Sequence, residues 1–469
     1  MKTCCIDRIP GGIFALCFLL FLLTSCAPSL HPPQKTIAKF AGQPLLTVYV
    51  TTSGSSLADF SFVLQDIALF SDGIWLDLDL PPQQIDRLGN KGQQLLLGVT
   101  NAPLGEQRRL RFRLTAIKVA GQSLAGLPEG EFHEAVLATP VTLAEADSQC
   151  LFIDWNLDGN DLYPSFSARG QQAVLGGSLA YVLCDDIRTI YVLRTDSNEV
   201  ISAFSLPGPL AEMRLDPQTR RLYVLSAGKH ALYVYDCMKS RLLEQIDLPR
   251  TIAPSYLTLA EDTHLAFVSD PASSQVLRVN LLSGVVEAQQ RLSQNPGKLL
   301  YFSADNGHLA VLSPATQKVF LLSPDSLQVQ RVISVGMQPD SLVYFAGMLY
   351  VSEQAADKVS AYNYQTGRLV QDISVGRAPA DILSEDGRRL FVSNSGGASV
   401  SVIYAGQKTS FRRIPTVDFP RDMAISAQRR LLYVAGYEKK HLTVIDLTGL
   451  TVRKQLSLGG RPLSIAILD

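Results

Sequence analysis

The segment PADILSEDGRRLFVSNSGGASVSVI, Pro379 to Ile403, decides how the C-terminal two-thirds of this 469-residue sequence is read. A proline opens it, a short apolar strand follows at Ile382 and Leu383, and Asp386-Gly387 supplies the positive-φ residue that a tight hairpin requires. Leu390-Phe391-Val392 forms a second strand, and Asn394-Ser395-Gly396-Gly397 turns the chain into a third at Val400-Ser401-Val402-Ile403. No step calls for a helix.

Working outward, the opening proline recurs at Pro209, Pro254, Pro296, Pro339, Pro379, Pro420 and Pro462, with spacings of 45, 42, 43, 40, 41 and 42 residues. A period in the low forties with about four strands per repeat is the sign of a β-propeller, and seven opening strands predict seven blades. The second strand recurs as LAYVL, RLYVLS, HLAFVS, HLAVLS, MLYVS, RLFVSN and LLYVAG, and the third as TIYVL, ALYVY, QVLRV, KVFLL, KVSAY, SVSVI and LTVID. From about Leu179 to Asp469 this pattern resembles the bacterial YVTN-type repeat, with LFVSN and LYVAG the nearest matches. Pro462 is followed only by LSIAILD, whereas the first repeat, from LAYVLCDD to VISAF, has no proline-led opening strand. Leu463 to Leu468 is therefore expected to supply the innermost strand of the first blade and close the ring, which leaves no open sheet to aggregate.

The N-terminus reads as a targeting segment. Lys2 and Arg8 form a positive region, Ile13 to Leu23 a short apolar core, and Leu23-Thr24-Ser25-Cys26 a cleavage site. This run resembles a bacterial lipobox. The resemblance implies a signal peptide over 1–25 and a lipid-modified Cys26, and multiple acyl chains make a stable membrane anchor. Ala27 stands where an inner-membrane retention signal would have aspartate, so the resemblance implies an outer-membrane lipoprotein of the cell envelope, periplasmic or surface-facing. The proline-rich stretch to residue 43 is expected to be a tether. Cys150, Cys184 and Cys237 cannot all pair with one another, so buried free thiols are expected rather than a disulfide framework, with a Cys184–Cys237 bridge as the alternative.

Residues 44–170 lack the forty-residue period and form a separate β-rich domain ahead of the propeller, 171–469. LLTVYVTT, DFSFVLQDIALF, IWLDLDL, QQLLLGV, RRLRFRLTAIKV, EAVLATPVTL and QCLFIDWNL read as antiparallel strands, and such a series predicts a β-sandwich. The order of these features resembles a bacterial lipoprotein domain of unknown function, often found behind a lipobox. Arg109, Arg111 and Arg113 alternate with Leu110, Phe112 and Leu114, which marks them as the solvent side of a half-buried strand rather than a basic patch. Asp154, Asn156, Asp158 and Gly159 match the start of a calcium loop, but Ser165 stands at its twelfth position and Pro164 intrudes, so an acidic strand face is the preferred reading.

The fold class is thus all-β: an N-terminal sandwich followed by a seven-bladed propeller. The loops entering the first strands and those joining second to third strands share one face. On that face lie Asp185, Asp186, Arg188, Lys229, His230, Asp270, Glu353, Asp357, Arg377, Tyr437, Glu438, Lys439, Lys440 and Arg461, with Asp340, Asp381 and Asp422 just inside the mouth. Asp381 and Asp422 hold the same position two residues after their prolines, which favours a turn or capping role. Among six histidines there is no pair at ligand spacing, and neither a haem-attachment nor a nucleophile motif occurs, so no catalytic, cofactor or metal residue is assigned. A net charge of −1 gives no footprint for nucleic acid. The residues point to a monomeric, lipid-anchored binding or scaffold protein whose loop face meets an envelope protein or a glycan. The alternative is a lactonase-like hydrolase using a metal at Asp381 and Asp422.

Overall fold

The structure is a computed structural model that describes residues 43–53, 60–86, 94–119, 122–123, 129–156, 165–172, 176–260, 263–292, 295–385 and 387–469. The signal peptide, Cys26, Asp158, Gly159, Pro164 and Asp386 of the sequence reading lie outside the described residues.

Seven four-stranded antiparallel sheets form the propeller. Blade 1 comprises Leu179–Cys184, Thr189–Arg194, Glu199–Ser205 and, as its innermost strand, Pro462–Leu468. In that closure Leu179 lies opposite Leu468, Tyr181 opposite Ala466 and Leu183 opposite Ser464, as the unequal ends of the repeat predict. Blades 2 to 7 open with Leu210–Asp216, Tyr256–Ala260, Leu299–Phe302, Pro339–Phe345, Pro379–Glu385 and Pro420–Ser426.

Second strands are sealed on both faces by neighbouring blades, so LAYVLC, RLFVSN and LLYVAG are buried at every position and show no polar alternation. Fourth strands such as Arg241–Asp247 and Val329–Ser334 form the rim and are largely exposed. Between blades the packing is aliphatic and aromatic: Phe391, Val400 and Val402 of blade 6 meet Met423, Leu432, Val434 and Ile445 of blade 7. Gly387 has φ +67°, as its hairpin demands. The turn into each third strand ends on a left-handed residue that is not glycine: Arg188, His230, Ser274, Gln317, Asp357, Ala398 or Lys440, with φ between 42° and 57°. A non-glycine side chain there costs about 1–2 kcal/mol, so these loops are held by the strands they join.

The N-terminal domain comprises β1 (Leu45–Ser53), β2 (Phe60–Ser71), β3 (Ile74–Asp77), β4 (Gln83–Asp86), β5 (Gln94–Asn101), β6 (Gly105–Val119), β7 (Gln122–Ser123), β8 (Phe132–Leu143), β9 (Ser148–Asn156) and β10 (Ser165–Gly170). The expected sandwich takes the form of a single sheet curled on itself, in the order β3-β2-β6-β8-β10-β9-β1-β5, with β4 on β2 and β7 on β6. Its inner face gathers Val48, Val50, Phe62, Leu64, Leu110, Phe112 and Trp155 into one core. Arg109, Arg111 and Arg113 lie on the other side of β6, stacked over Phe70, Trp75 and Phe132 and paired with Glu134, Asp77 and Asp66. Ile153 and Trp155 point into the core while Asp154 pairs with Arg169 at 2.9 Å, which commits that carboxylate to an ion pair.

The apolar run of β1 has two destinations. Leu46, Val48 and Val50 enter the domain's own core, whereas Leu45 and Tyr49, with Cys150 and Phe152 of β9, pack against Val182, Tyr191 and Val200 of blade 1. Thr47 Oγ1 meets Tyr191 OH at 2.8 Å, and Ser148 Oγ meets Thr189 Oγ1 at 2.8 Å. Gln94 closes the outer strand of blade 1, accepting from Val200 N–H at 2.8 Å and donating to Val200 O at 2.9 Å. Cys150, Cys184 and Cys237 are buried free thiols. Burial raises all three thiol pKa values, Cys237 to about 11.

Candidate functional site

Each innermost strand presents a sheet edge to the central channel, and its backbone N–H groups need partners there. Strand register aligns Ser464, Glu212, Tyr256, Lys298, Ser341, Asp381 and Asp422, one from each blade, because the next residue in every case pairs with the equivalent valine of its second strand. Four of these side chains hydrogen-bond the N–H of the following blade. Glu212 Oε2 accepts from Leu257 N–H at 2.6 Å, and Asp422 Oδ2 from Ile465 N–H at 2.7 Å. Ser464 and Ser341 accept from Met213 N–H and Ile382 N–H, each at 3.4 Å. The result is a circumferential polar belt. Asp422 has the capping role expected from its place after the proline. Asp381 does not: it accepts from Ser341 Oγ at 2.9 Å and pairs with Lys298, which reaches it from blade 4.

The belt is not electrically neutral. Arg214, one layer further along blade 2, pairs with Glu212, and Lys298 pairs with Asp381. Asp422 has no ion pair among the described residues. Burial, with Asp381 beside it, pushes its pKa up to about 6 despite the pull of Arg214 and Lys298. For Lys298, burial would lower the pKa, but Asp381 and Asp422 outweigh it and hold the ammonium charged. Inside this collar lies a cavity of about 320 Å³, lined by Arg214, Thr258, Lys298, Asp381 and Asp422 and by Leu215, Leu300, Val343, Leu383, Ile425 and Ile467.

On the loop face the structure brings together Asp185, Tyr437 and Arg461, where blade 7 meets blade 1. Tyr437 donates to Asp185 Oδ2 at 3.0 Å, and the Arg461 guanidinium lies 5.0 Å from the Tyr437 ring centre. Arg421 approaches the same ring at 5.5 Å, and it has no ion pair among the described residues. Asp186 fixes the loop beneath, accepting from Arg461 N–H at 2.7 Å and facing Lys440 Nζ at 3.4 Å. Burial raises the Asp185 pKa, against the hydrogen bond from Tyr437, and Asp185 Oδ1 has no hydrogen-bond partner among the described residues. Asp340 stands at the channel mouth, open to water yet ringed by protein, and desolvation raises its pKa against the pull of Arg421 and Lys298.

The remaining expected residues separate. Asp270 and Glu353 are turned inward, each 0 % exposed. Asp270 accepts from the N–H groups of Ile252, Ala253, Ala272 and Ser273. Glu353 accepts from Gly336 N–H at 2.9 Å and Tyr362 OH at 3.0 Å and faces Lys358 Nζ at 3.3 Å. Both tie a second-strand end to the loop that opens the first strand, so neither offers a surface to a partner. Lys229, His230 and Arg377 are exposed on blades 2 and 6, the blades that flank blades 1 and 7 in the ring, and none of them joins the Tyr437 cluster through a contact among the described residues.

Among the described residues, no group of three or more His, Cys, Asp or Glu side chains is arranged to hold a metal ion. Lys298 already occupies Asp381, so a cation shared by Asp381 and Asp422 would have to displace an ammonium group. Sequence reading passed over Lys298, Glu212, Arg214, Tyr256 and Ser464. Most share the two-after-proline position, but their chemistry differs from aspartate, and in blade 2 the proline falls one residue earlier relative to the ladder.

Fold and site define a class, a seven-bladed β-propeller carrying a curled β-sheet domain at its N-terminal side. No protein-family model matches the sequence, and no curated protein matches it. Among solved structures, a functionally unknown protein from Desulfotomaculum acetoxidans aligns with a TM-score of 0.55 at 13 % identity, covering 62 % of this chain and 99 % of that one. That likeness is one of fold. Dihydro-heme d1 dehydrogenase NirN aligns at a TM-score of 0.48 and 15 % identity over 61 % of this chain and 65 % of that one. Hydrazine synthase of Kuenenia stuttgartiensis aligns at 0.48 and 14 % over 56 % and 90 %.

Proposed function

We propose that this protein is a lipid-anchored binding protein of the bacterial cell envelope, with YVTN-type blades and a loop face that docks an envelope protein or a glycan. The lipobox-like run at Leu23 to Cys26 supports the anchor, and the tether to residue 43 gives the folded part reach from the bilayer. The curled sheet, packed on blade 1 through Gln94, Thr47 and Ser148, serves as a rigid pedestal.

The observation that carries the reading is the Tyr437 cluster. The half-buried Arg461 and Arg421 flank the buried ring of Tyr437, with Asp185 and Asp186 fixing the set from beneath, and Arg and Tyr are residue types enriched at binding hot spots. Docking onto such a cluster needs little reordering of the loops, which lowers the entropic cost of association. Mild chemical cross-linking of intact cells followed by purification should recover a discrete partner or glycan, and Arg461→Glu should abolish its recovery. A chain that yields no adduct, or an adduct indifferent to Arg461→Glu, contradicts the proposal.

A further inference from the structure

The belt around the channel leaves one carboxylate electrically unanswered. Glu212 is matched by Arg214 and by Leu257 N–H, and Asp381 by Lys298 and Ser341. Asp422 spends Oδ2 on Ile465 N–H, and its Oδ1 has no hydrogen bond among the described residues. That carboxylate lines a cavity of about 320 Å³, at the lower end of the size range of ligand pockets. The wall offers few oxygens, from Asp422, Asp381 and Thr258, and is otherwise largely aliphatic. A hard metal ion takes about six oxygen ligands. An ammonium group needs three acceptors at most, and its carbon chain would cover the aliphatic wall.

We propose that the channel cavity binds a small organic cation, a primary ammonium group on a short aliphatic chain, with the nitrogen at Asp422 and the chain against Leu300, Val343, Leu383 and Ile425. This site is separate from the loop-face docking surface and stands or falls independently of it. Asp381, Arg214 and Lys298 are the charged groups facing Asp422, with Glu212 acting on Arg214 and Lys298 and the hydroxyl-bearing Ser341 and Tyr256 on the same layer. Asp422 must be ionised to hold the ligand, and it protonates near pH 6. Lys298 competes for the same negative field, so removing it should favour the ligand.

The test is calorimetric titration of the full chain in detergent with butylammonium chloride, using 1-butanol for the chain without the charge and methylammonium for the charge without the chain. Saturable one-site binding is expected at pH 7.5, weaker by about tenfold at pH 5 because most of Asp422 is then protonated. Butanol and methylammonium should each bind at least tenfold more weakly. Asp422→Asn should lose at least tenfold in affinity. Lys298→Ala should gain affinity, because its ammonium no longer weakens the negative field at Asp422, and this readout remains if Asp422→Asn fails to fold. Absence of saturable binding, equal binding of butanol, an unchanged affinity in Asp422→Asn or a weaker one in Lys298→Ala overturns the proposal.

Discussion

Ser178, at the threshold of blade 1, donates a 2.6 Å hydrogen bond to Oδ1 of Asp469, the final residue of the sequence. The same oxygen accepts from Ser426 Oγ at 2.6 Å, and Oδ2 from Gln428 N–H at 3.1 Å, so one side chain fastens blade 7 to blade 1. With Pro462–Leu468 paired along Leu179–Cys184, the two ends of the propeller share one sheet. Deleting residues 462–469 removes that strand and bares an apolar edge at Ala180 and Val182. Thermal unfolding should lose its single cooperative transition and begin well below that of the parent. A truncated chain that melts like the parent contradicts closure by this strand.

Asp270 tests the inward-turned acids. Its carboxylate satisfies four backbone N–H groups, and Asp270→Ala would leave several of them buried and unpaired at about 1–3 kcal/mol each, partly relieved by water. Burial by itself would raise the Asp270 pKa, but the bonds from Ser273, Ile252 and Ala253 outweigh it and the net shift is downward. Its contribution is therefore full above the ordinary carboxylate range and fades as pH falls through its own lower value. Denaturant titrations of Asp270→Ala should show a loss of about 3 kcal/mol at pH 7, which shrinks in strong acid.

Asp422 has the opposite sign. Its folded pKa, near 6, lies above the unfolded value, so the folded state binds the extra proton between about pH 4 and 6 and stability from this group falls as pH rises through that window. Asp422→Asn should be more stable than the parent at pH 7, by at most about 3 kcal/mol, and the difference should vanish by about pH 4. Paired urea titrations across pH 4 to 7.5 check this. A constant difference, or a less stable variant at pH 7, contradicts the desolvated carboxylate.

Gln94 tests the pedestal. Its amide makes both bonds to the Val200 backbone, so Gln94→Ala should unpair that edge and cost about 1–3 kcal/mol locally. Amide hydrogen exchange at Val200 should accelerate while exchange in blades 3 to 5 stays unchanged. Unaltered exchange at Val200 would mean that the apolar contacts of Tyr49 and Phe152 hold the domains together without it.

The wheel was legible because its signal is physical and repeated. A strand sealed between two blades must be apolar on both of its faces, and the central LFV of RLFVSN or LLYV of LLYVAG reads so wherever it occurs. Closure was legible from the missing proline-led strand in blade 1. The curl of the N-terminal sheet was not, because it depends on the parallel pairing of β1 with β9 and of β10 with β8, which leaves no local pattern. Nor did the turns announce themselves, since Arg188, Gln317 and Ala398 occupy left-handed positions where sequence logic looks for glycine. The channel belt was half legible. Asp381 and Asp422 stood out by matching each other, while Lys298 and Glu212, at the same structural position, looked unremarkable because belt chemistry is the part of the repeat that varies.

The proposed docking role of the loop face is tested most directly by placing a photo-reactive residue at Glu438, exposed beside Tyr437, or at Gln218, exposed on the opposite face in the hairpin between the first and second strands of blade 2. Illumination of intact cells should give a discrete adduct from position 438 that disappears when Arg461 is also changed to alanine, and none from position 218. Adducts from position 218 alone, or equal labelling from both, would contradict the account.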